Sequence, residues 1–380
     1  MRYVLIKSMN LGSSSQLPVV LHLISSLEVG GSERMLVNLV QSCTEVPQIA
    51  QVVVVMNDRV DRSLASELSS SSVPVYFLNR PESSRSPKYI FDLFGIIRTH
   101  HVSVIHSHNR GSKYWSMLCR ILRSRLRLVF TFHHTEIKLD SIDILLHNAL
   151  IDVTIAVSET VATEVQALGI RRVNQIENGI PISLFRSTST QHSGSRTRIL
   201  TVGRLSLEKK GQDILIRAIK RCVDRGLDVE CTLVGSPTVG DAQTLPMLQA
   251  LASTLQLKSR IQFVQGRSDV NTFLGRADIF VLPSRHEGFG LALVEAMAAG
   301  LPVIASNIEG PADIVTDGED GLLFDSGSEE ELATKIATLI QYPAVTEKIR
   351  TNGRITAGKY DISSMRDRYV EIYRRLVVDC

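Results

Sequence analysis

Two glutamates with seven residues between them, Glu287 and Glu295, frame a turn able to hold both an anion and a sugar. The stretch Pro283-Ser284-Arg285-His286-Glu287-Gly288-Phe289-Gly290 leads into an apolar helical pattern from Leu291 to Ala299, closed by Gly300 and Pro302. Gly288 and Gly290 let the backbone approach a ligand with no side chain in the way. The helix start offers free N–H groups and the positive end of the peptide dipole, which attract phosphate. Carboxylates beside such a site accept hydrogen bonds from hydroxyls, so the ligand class is one that joins phosphate to sugar.

A second constellation, Val202-Gly203-Arg204 with Glu208-Lys209-Lys210-Gly211, places cations after another apolar strand. Arg204 offers a forked guanidinium and Lys209 or Lys210 a point charge, a set able to neutralise a pyrophosphate. Arg and Lys are common at strand-to-helix turns; the glycine turn and paired glutamates give these a chemical meaning. Histidines form a third group. His106-Ser107-His108 follows one strand and His133-His134 ends the next. Alternate strand residues point the same way, so two imidazoles can meet a cation. No Asp or Glu lies near the first pair and no Cys joins it, so no metal is expected. His133 is expected to be a functional, non-metal histidine. Other motifs fail: Gly235 to Asp241 lacks the Lys-Ser/Thr of a P-loop, Gly30-Gly31 lacks a third spaced glycine, and no G-x-S-x-G elbow occurs.

The elements that position these residues alternate. Apolar runs at Val19–Ile24, Gln51–Val55, Val73–Leu78, Val102–His106, Leu126–Phe132, Val153–Ala156 and Arg172–Ile176 read as strands. Helical patterns separate most of them, the first starting near Glu33 and another spanning Lys113–Leu122. Residues 187–196, Ser-Thr-Ser-Thr-Gln-His-Ser-Gly-Ser-Arg, read as a linker. The alternation then restarts, from Ile199–Val202 to Leu322–Phe324, until Pro343 breaks it. The expected architecture is α/β: two doubly wound parallel-sheet domains, 19–186 and 197–345, facing across a cleft. A polar tail, 1–18, precedes them; 346–380 reads as one or two terminal helices packing back on the first domain.

A length of 380 residues suits two domains, and 44% hydrophobic with 21% charged residues describes a folded soluble chain. A net charge of +3 gives no reason to expect nucleic acid. Charge is uneven, however: Arg98 to Lys138 holds eight Lys/Arg against Glu136 alone, a local +7 that suits an anionic membrane surface or a phosphorylated acceptor. Five scattered cysteines, none paired as C-x-x-C, fit a reducing compartment, and no run is long enough to span a bilayer. Met1 to Gln16 is too polar for a signal peptide, so a cytoplasmic location is expected, with peripheral contact at the inner membrane face.

The Glu287–Glu295 stretch resembles the E-x7-E signature of the retaining nucleotide-sugar glycosyltransferases of family 4. Four further stretches agree in order: Val29-Gly30-Gly31-Ser32-Glu33-Arg34, Thr131-Phe132-His133, Val202-Gly203-Arg204 with Lys-Lys-Gly, and Gly310-Pro311-Ala312-Asp313 with Gly321-Leu322-Leu323. The resemblance covers about residues 19 to 340 and implies a GT-B fold. It implies that Glu295 holds the nucleotide ribose and that Glu287 sits at the transferred sugar. The backbone of Gly288, Phe289, Gly290 and Leu291 would surround sugar and phosphate. Arg204 with Lys210, or Lys209, would hold the pyrophosphate. Gly30 and Gly31 would approach phosphate and acceptor, His133 the reacting carbon, and Gly266-Arg267 the base. Glu often stands in this family where this chain has Asp313.

The implied reaction is metal-independent, cofactor-free transfer of a hexose-type sugar from a nucleoside-diphosphate sugar, UDP by default. The acceptor would be a hydroxyl on a glycan or lipid-linked chain in cell-surface polysaccharide synthesis. Two rivals differ in simple observations. A nucleotide-sugar epimerase would consume donor without acceptor, and a non-catalytic subunit would show no transfer alone.

Overall fold

Unbroken aliphatic runs such as Val-Val-Leu-His-Leu-Ile can only be satisfied in a sheet covered on both faces. The computed structural model, which describes residues 17–46, 48–135, 137–185, 196–237, 242–265 and 269–378, places them so. The first unit contains β1 (Val19–Ile24), α1 (Gly31–Glu45), β2 (Ala50–Asn57), α2 (Arg62–Ser70), β3 (Val75–Arg80), α3 (Lys88–Thr99), β4 (Val104–Ser107), α4 (Arg110–Leu122), β5 (Arg127–Phe132), α5 (Ser141–Leu150), β6 (Val153–Ala156), α6 (Glu159–Ala167) and β7 (Val173–Gln175). Its seven strands, all parallel, lie in the order β3-β2-β1-β4-β5-β6-β7.

The second unit contains β8 (Thr197–Val202), α7 (Leu207–Lys210), α8 (Gln212–Asp224), β9 (Val229–Val234), α9 (Thr244–Thr254), β10 (Ile261–Val264), α10 (Val270–Leu274), β11 (Ile279–Leu282), α11 (Leu291–Ala298), β12 (Val303–Ser306), α12 (Pro311–Ile314), β13 (Leu322–Phe324), α13 (Glu329–Gln341) and α14 (Pro343–Gly358). Six parallel strands run β10-β9-β8-β11-β12-β13. Strand order reverses between β1 and β4 in the first sheet and between β8 and β11 in the second. Ligands of open parallel sheets bind beyond the strand ends at such reversals.

The two units divide after Gly179 and after Asp361, so α15 (Ile362–Val378) belongs with the first and α14 with the second. The boundary expected at 345 therefore falls inside a helix, because Pro343 occupies the first turn of α14, where its missing N–H costs nothing. The expected break before 197 lies further back, at residue 179. The tail up to residue 16 and linker residues 187–195 lie outside the described residues. Helix α4 starts three residues ahead of Lys113 because Asn109 and Ser112 form a capping box. Helix α15 packs on α1 and β4, burying Tyr369 and Tyr373 completely.

Candidate active site

In the second unit, the turns after β8 and β11 meet at the strand reversal. Gly211 makes this possible. It is left-handed, at φ 61°, and a Cβ there would come 2.0 Å from the Pro283 carbonyl oxygen. The close approach brings the end of α7 against the end of β11. Lys210 Nζ then donates to Glu287 Oε2 at 2.5 Å, and Ser284 Oγ donates to the same oxygen at 3.1 Å. Both members of the pair are less than one-fifth exposed. Lys209 points to solvent, while its carbonyl accepts from the N–H groups of Arg285 and His286. The structure thus brings Lys210, not Lys209, to the glutamate. Arg204 is exposed beside this turn, with its carbonyl held by the Gln212 amide.

Gly290 adopts φ 109° to turn the chain into α11, whose start carries no side-chain cap. Its first N–H groups therefore remain available to an anion. Phe289 is buried edge-on to Tyr360, which leaves its backbone as the contribution it can make to a ligand. Glu295 is buried one turn further along the helix. Gly310 backs the turn: at φ 88°, a Cβ would lie 2.6 Å from the Glu287 carbonyl oxygen. Gly266 and Arg267 lie outside the described residues.

Two positioning groups carry no signal readable from spacing. Arg285 forms a two-pronged pair with Asp213, both contacts at 2.8 Å, and also donates to the Leu207 carbonyl. It straps the loop holding Glu287 onto α7 and α8 although 72 positions separate the partners. Buried Ser284 fixes the Glu287 carboxylate. Gly211→Ala should lower the unfolding free energy by more than about 2 kcal/mol, combining left-handed strain with the carbonyl clash. Urea unfolding monitored by circular dichroism measures this; a midpoint equal to wild type would refute the packing role of Gly211.

The first unit places its own candidates at the other reversal. Gly30 and Gly31 open α1, again without a side-chain cap. Asn109 accepts from Ser25 Oγ at 2.7 Å and caps α4, joining the ends of β1 and β4. His133 follows β5, and neither ring nitrogen has a hydrogen-bond partner among the described residues. Burial, then the adjacent His134, pushes its pKa down to about 3. Near neutral pH it is a neutral imidazole, able to donate from one nitrogen and accept at the other.

The histidine pair expected on β4 gains a third member, His22 on β1, and all three are buried. His22 Nδ1 lies 3.2 Å from His108 Nε2. His106 uses both nitrogens, with the Tyr373 hydroxyl at 2.6 Å and Thr131 Oγ1 at 2.7 Å. With His106 so engaged, the cluster reads as a polar network fastening α15 to the sheet. Burial lowers His22 to about 4 and holds His106 and His108 well below the usual histidine range.

Comparisons with known proteins bear on this arrangement. The family model described as Glycosyltransferase Family 4 matches residues 29–184, and that described as Glycosyl transferases group 1 matches 186–356. The 2-deoxystreptamine N-acetyl-D-glucosaminyltransferase of Niallia circulans is 32% identical over 48% of this chain and 45% of its own length. The capsular polysaccharide biosynthesis glycosyltransferase CapM of Staphylococcus aureus is 28% identical over 53% of this chain and 55% of its own. The chain thus spans about half the length of these curated relatives. Among solved structures, Anabaena Alr3699/HepE in complex with UDP-glucose superposes with a TM-score of 0.82 at 24% identity, over 94% of this chain and 99% of that one. A glycosyltransferase from Rickettsia africae gives 0.81 at 20% identity, over 96% and 99%. With the two family models following one another along paired parallel sheets, the chain belongs to the family 4 glycosyltransferases and has their GT-B fold.

Proposed function

We propose that this protein transfers a hexose-type sugar from a nucleoside-diphosphate sugar, with UDP as the first nucleotide to test, to a hydroxyl acceptor with retention at the anomeric carbon. One observation carries the reading: Lys210 and Glu287 are paired beneath the uncapped start of α11, at the reversal of a parallel sheet. Arg204 and Lys210 would neutralise the pyrophosphate. The α11 amides would hold the distal phosphate, Glu295 the ribose hydroxyls and Glu287 the sugar. Gly266 and Arg267 would meet the base. The HepE structures with UDP and UDP-glucose support a uridine nucleotide.

In the reaction, the bond from the anomeric carbon to the phosphate oxygen breaks and one to the acceptor oxygen forms on the same face. The acceptor proton passes to the leaving phosphate oxygen. No protein nucleophile and no metal are needed, because the cations stabilise the charge that develops on the leaving group. In the first unit, Gly30 and Gly31 would approach phosphate and acceptor, with neutral His133 hydrogen-bonding near the reacting carbon. Relatives named for capsule and lipopolysaccharide core synthesis support a glycan or lipid-linked acceptor.

The test is a panel of nucleotide sugars incubated with and without lipid-linked glycan acceptors, followed by release of nucleoside diphosphate. Acceptor-dependent release is expected. Epimerised donor without acceptor would overturn the reading in favour of an epimerase, and no turnover with any donor would favour a non-catalytic subunit. Glu295→Ala should weaken nucleotide-sugar affinity by about tenfold or more, the worth of charge-assisted hydrogen bonds to the ribose. A thermal-shift titration would read this as a lost ligand-induced rise in melting temperature.

A further inference from the structure

We infer that helices α4 and α5 form a docking surface for a bilayer containing anionic lipid. Right-handed crossovers from β4 to β5 and from β5 to β6 put both helices on one face of the first sheet. Tyr114 and Arg110 of α4 both bond to Asp143 of α5, with Arg110 at 2.6 Å. On α4, Leu118, Ile121 and Leu122 continue a stripe from Tyr114 at helical spacing, and all are exposed. On α5, Ile142, Leu145 and Leu146 do the same, with Ile142 and Leu145 each 68% exposed. Neither stripe is buried: the buried residues are Ser112, Lys113, Ser116, Met117 and Cys119 on α4 and Asp143 and His147 on α5. Solvent-facing aliphatic side chains at this spacing are the apolar half of an interfacial helix.

The charge around the stripes selects the partner. Of the eight cations between Arg98 and Lys138, Lys113 is buried, and Arg120 and Arg127 lie 3.4 Å from Asp152. Arg110 keeps more than half of its side chain in solvent despite its pair with Asp143. Arg98, Arg123, Arg125 and Lys138 make no ion pair among the described residues. Nearby carboxylates are engaged: Asp140 caps α5, while Asp143 and Asp152 hold arginines. An apolar stripe rimmed by unpaired cations fits aliphatic side chains at the acyl boundary with phosphate head groups beside them. A second copy on a twofold axis would instead set these cations against themselves.

Vesicle flotation tests it without donor or acceptor, so failure would leave the transferase reading intact. The full chain should float with vesicles containing phosphatidylglycerol and much less with pure phosphatidylcholine, with high salt weakening the association. Two variants, L118S/I121S/L145S and R123E/R125E, should each bind phosphatidylglycerol vesicles roughly tenfold more weakly. Their melting temperatures should match wild type. Absence of flotation, or variants floating like wild type, would overturn the inference. So would light scattering showing that the apolar variant turns a dimer into a monomer while vesicle binding is kept.

Discussion

Lys210→Ala is expected to lower transfer turnover by about 10²–10³-fold while nucleotide affinity changes far less, the pattern of a lost transition-state contact. The ammonium sits 2.5 Å from Glu287 Oε2 in a pair that is mostly shielded from water. In that place its positive charge is fixed before any donor arrives. The pyrophosphate gains negative charge only as the sugar leaves, so the lysine would act mainly on that step. Lys209→Ala supplies the contrast. Its side chain is exposed, and its visible contribution, accepting from Arg285 and His286 through the carbonyl, survives truncation. Initial rates of nucleoside diphosphate release for both variants separate the two lysines. Equal rates for Lys210→Ala and wild type would remove Lys210 from the chemistry.

Acid should destabilise the first unit steeply as pH falls below about 6.5. His22, at about 4, and His106 and His108, both well below the usual histidine range, stay neutral in the fold because burial penalises their charge. Unfolded, each titrates near about 6.5. Below that value the unfolded chain binds protons that the folded one refuses. Stability is therefore full above about pH 6.5 and falls as pH drops toward the folded values. At pH 5 His22 alone removes about 2 kcal/mol, and His106 and His108 act in the same direction. Urea midpoints from pH 8 to pH 5 should fall steeply below pH 6.5. A flat profile would mean that these histidines accept protons without unfolding.

The sheets were legible because a buried parallel strand leaves an unbroken aliphatic run, as in Val52-Val53-Val54-Val55 of β2. The Glu287 turn was legible because glycines, cations and glutamates are all local to two strand ends. What stayed hidden depends on partners distant in sequence. Nothing near Arg285 announces Asp213, and nothing near Gly211 announces the Pro283 carbonyl. His22 looked like one more strand residue until parallel register set it beside His106. Both terminal helices are expected on the first domain, yet α14 stays with the second unit, since periodicity shows an apolar face and not which sheet it covers. Likewise the choice between Lys209 and Lys210 rests on a short helix, α7, that four residues are too few to declare.

We propose that the turns after β8 and β11 form a nucleotide-sugar site. Calorimetric titration of UDP into the wild-type chain and into Arg204→Ala and Glu295→Ala tests this most directly. One saturable site is predicted, weakened about tenfold or more by either substitution. UDP and other nucleoside diphosphates failing to bind, or binding equally to all three proteins, would contradict it.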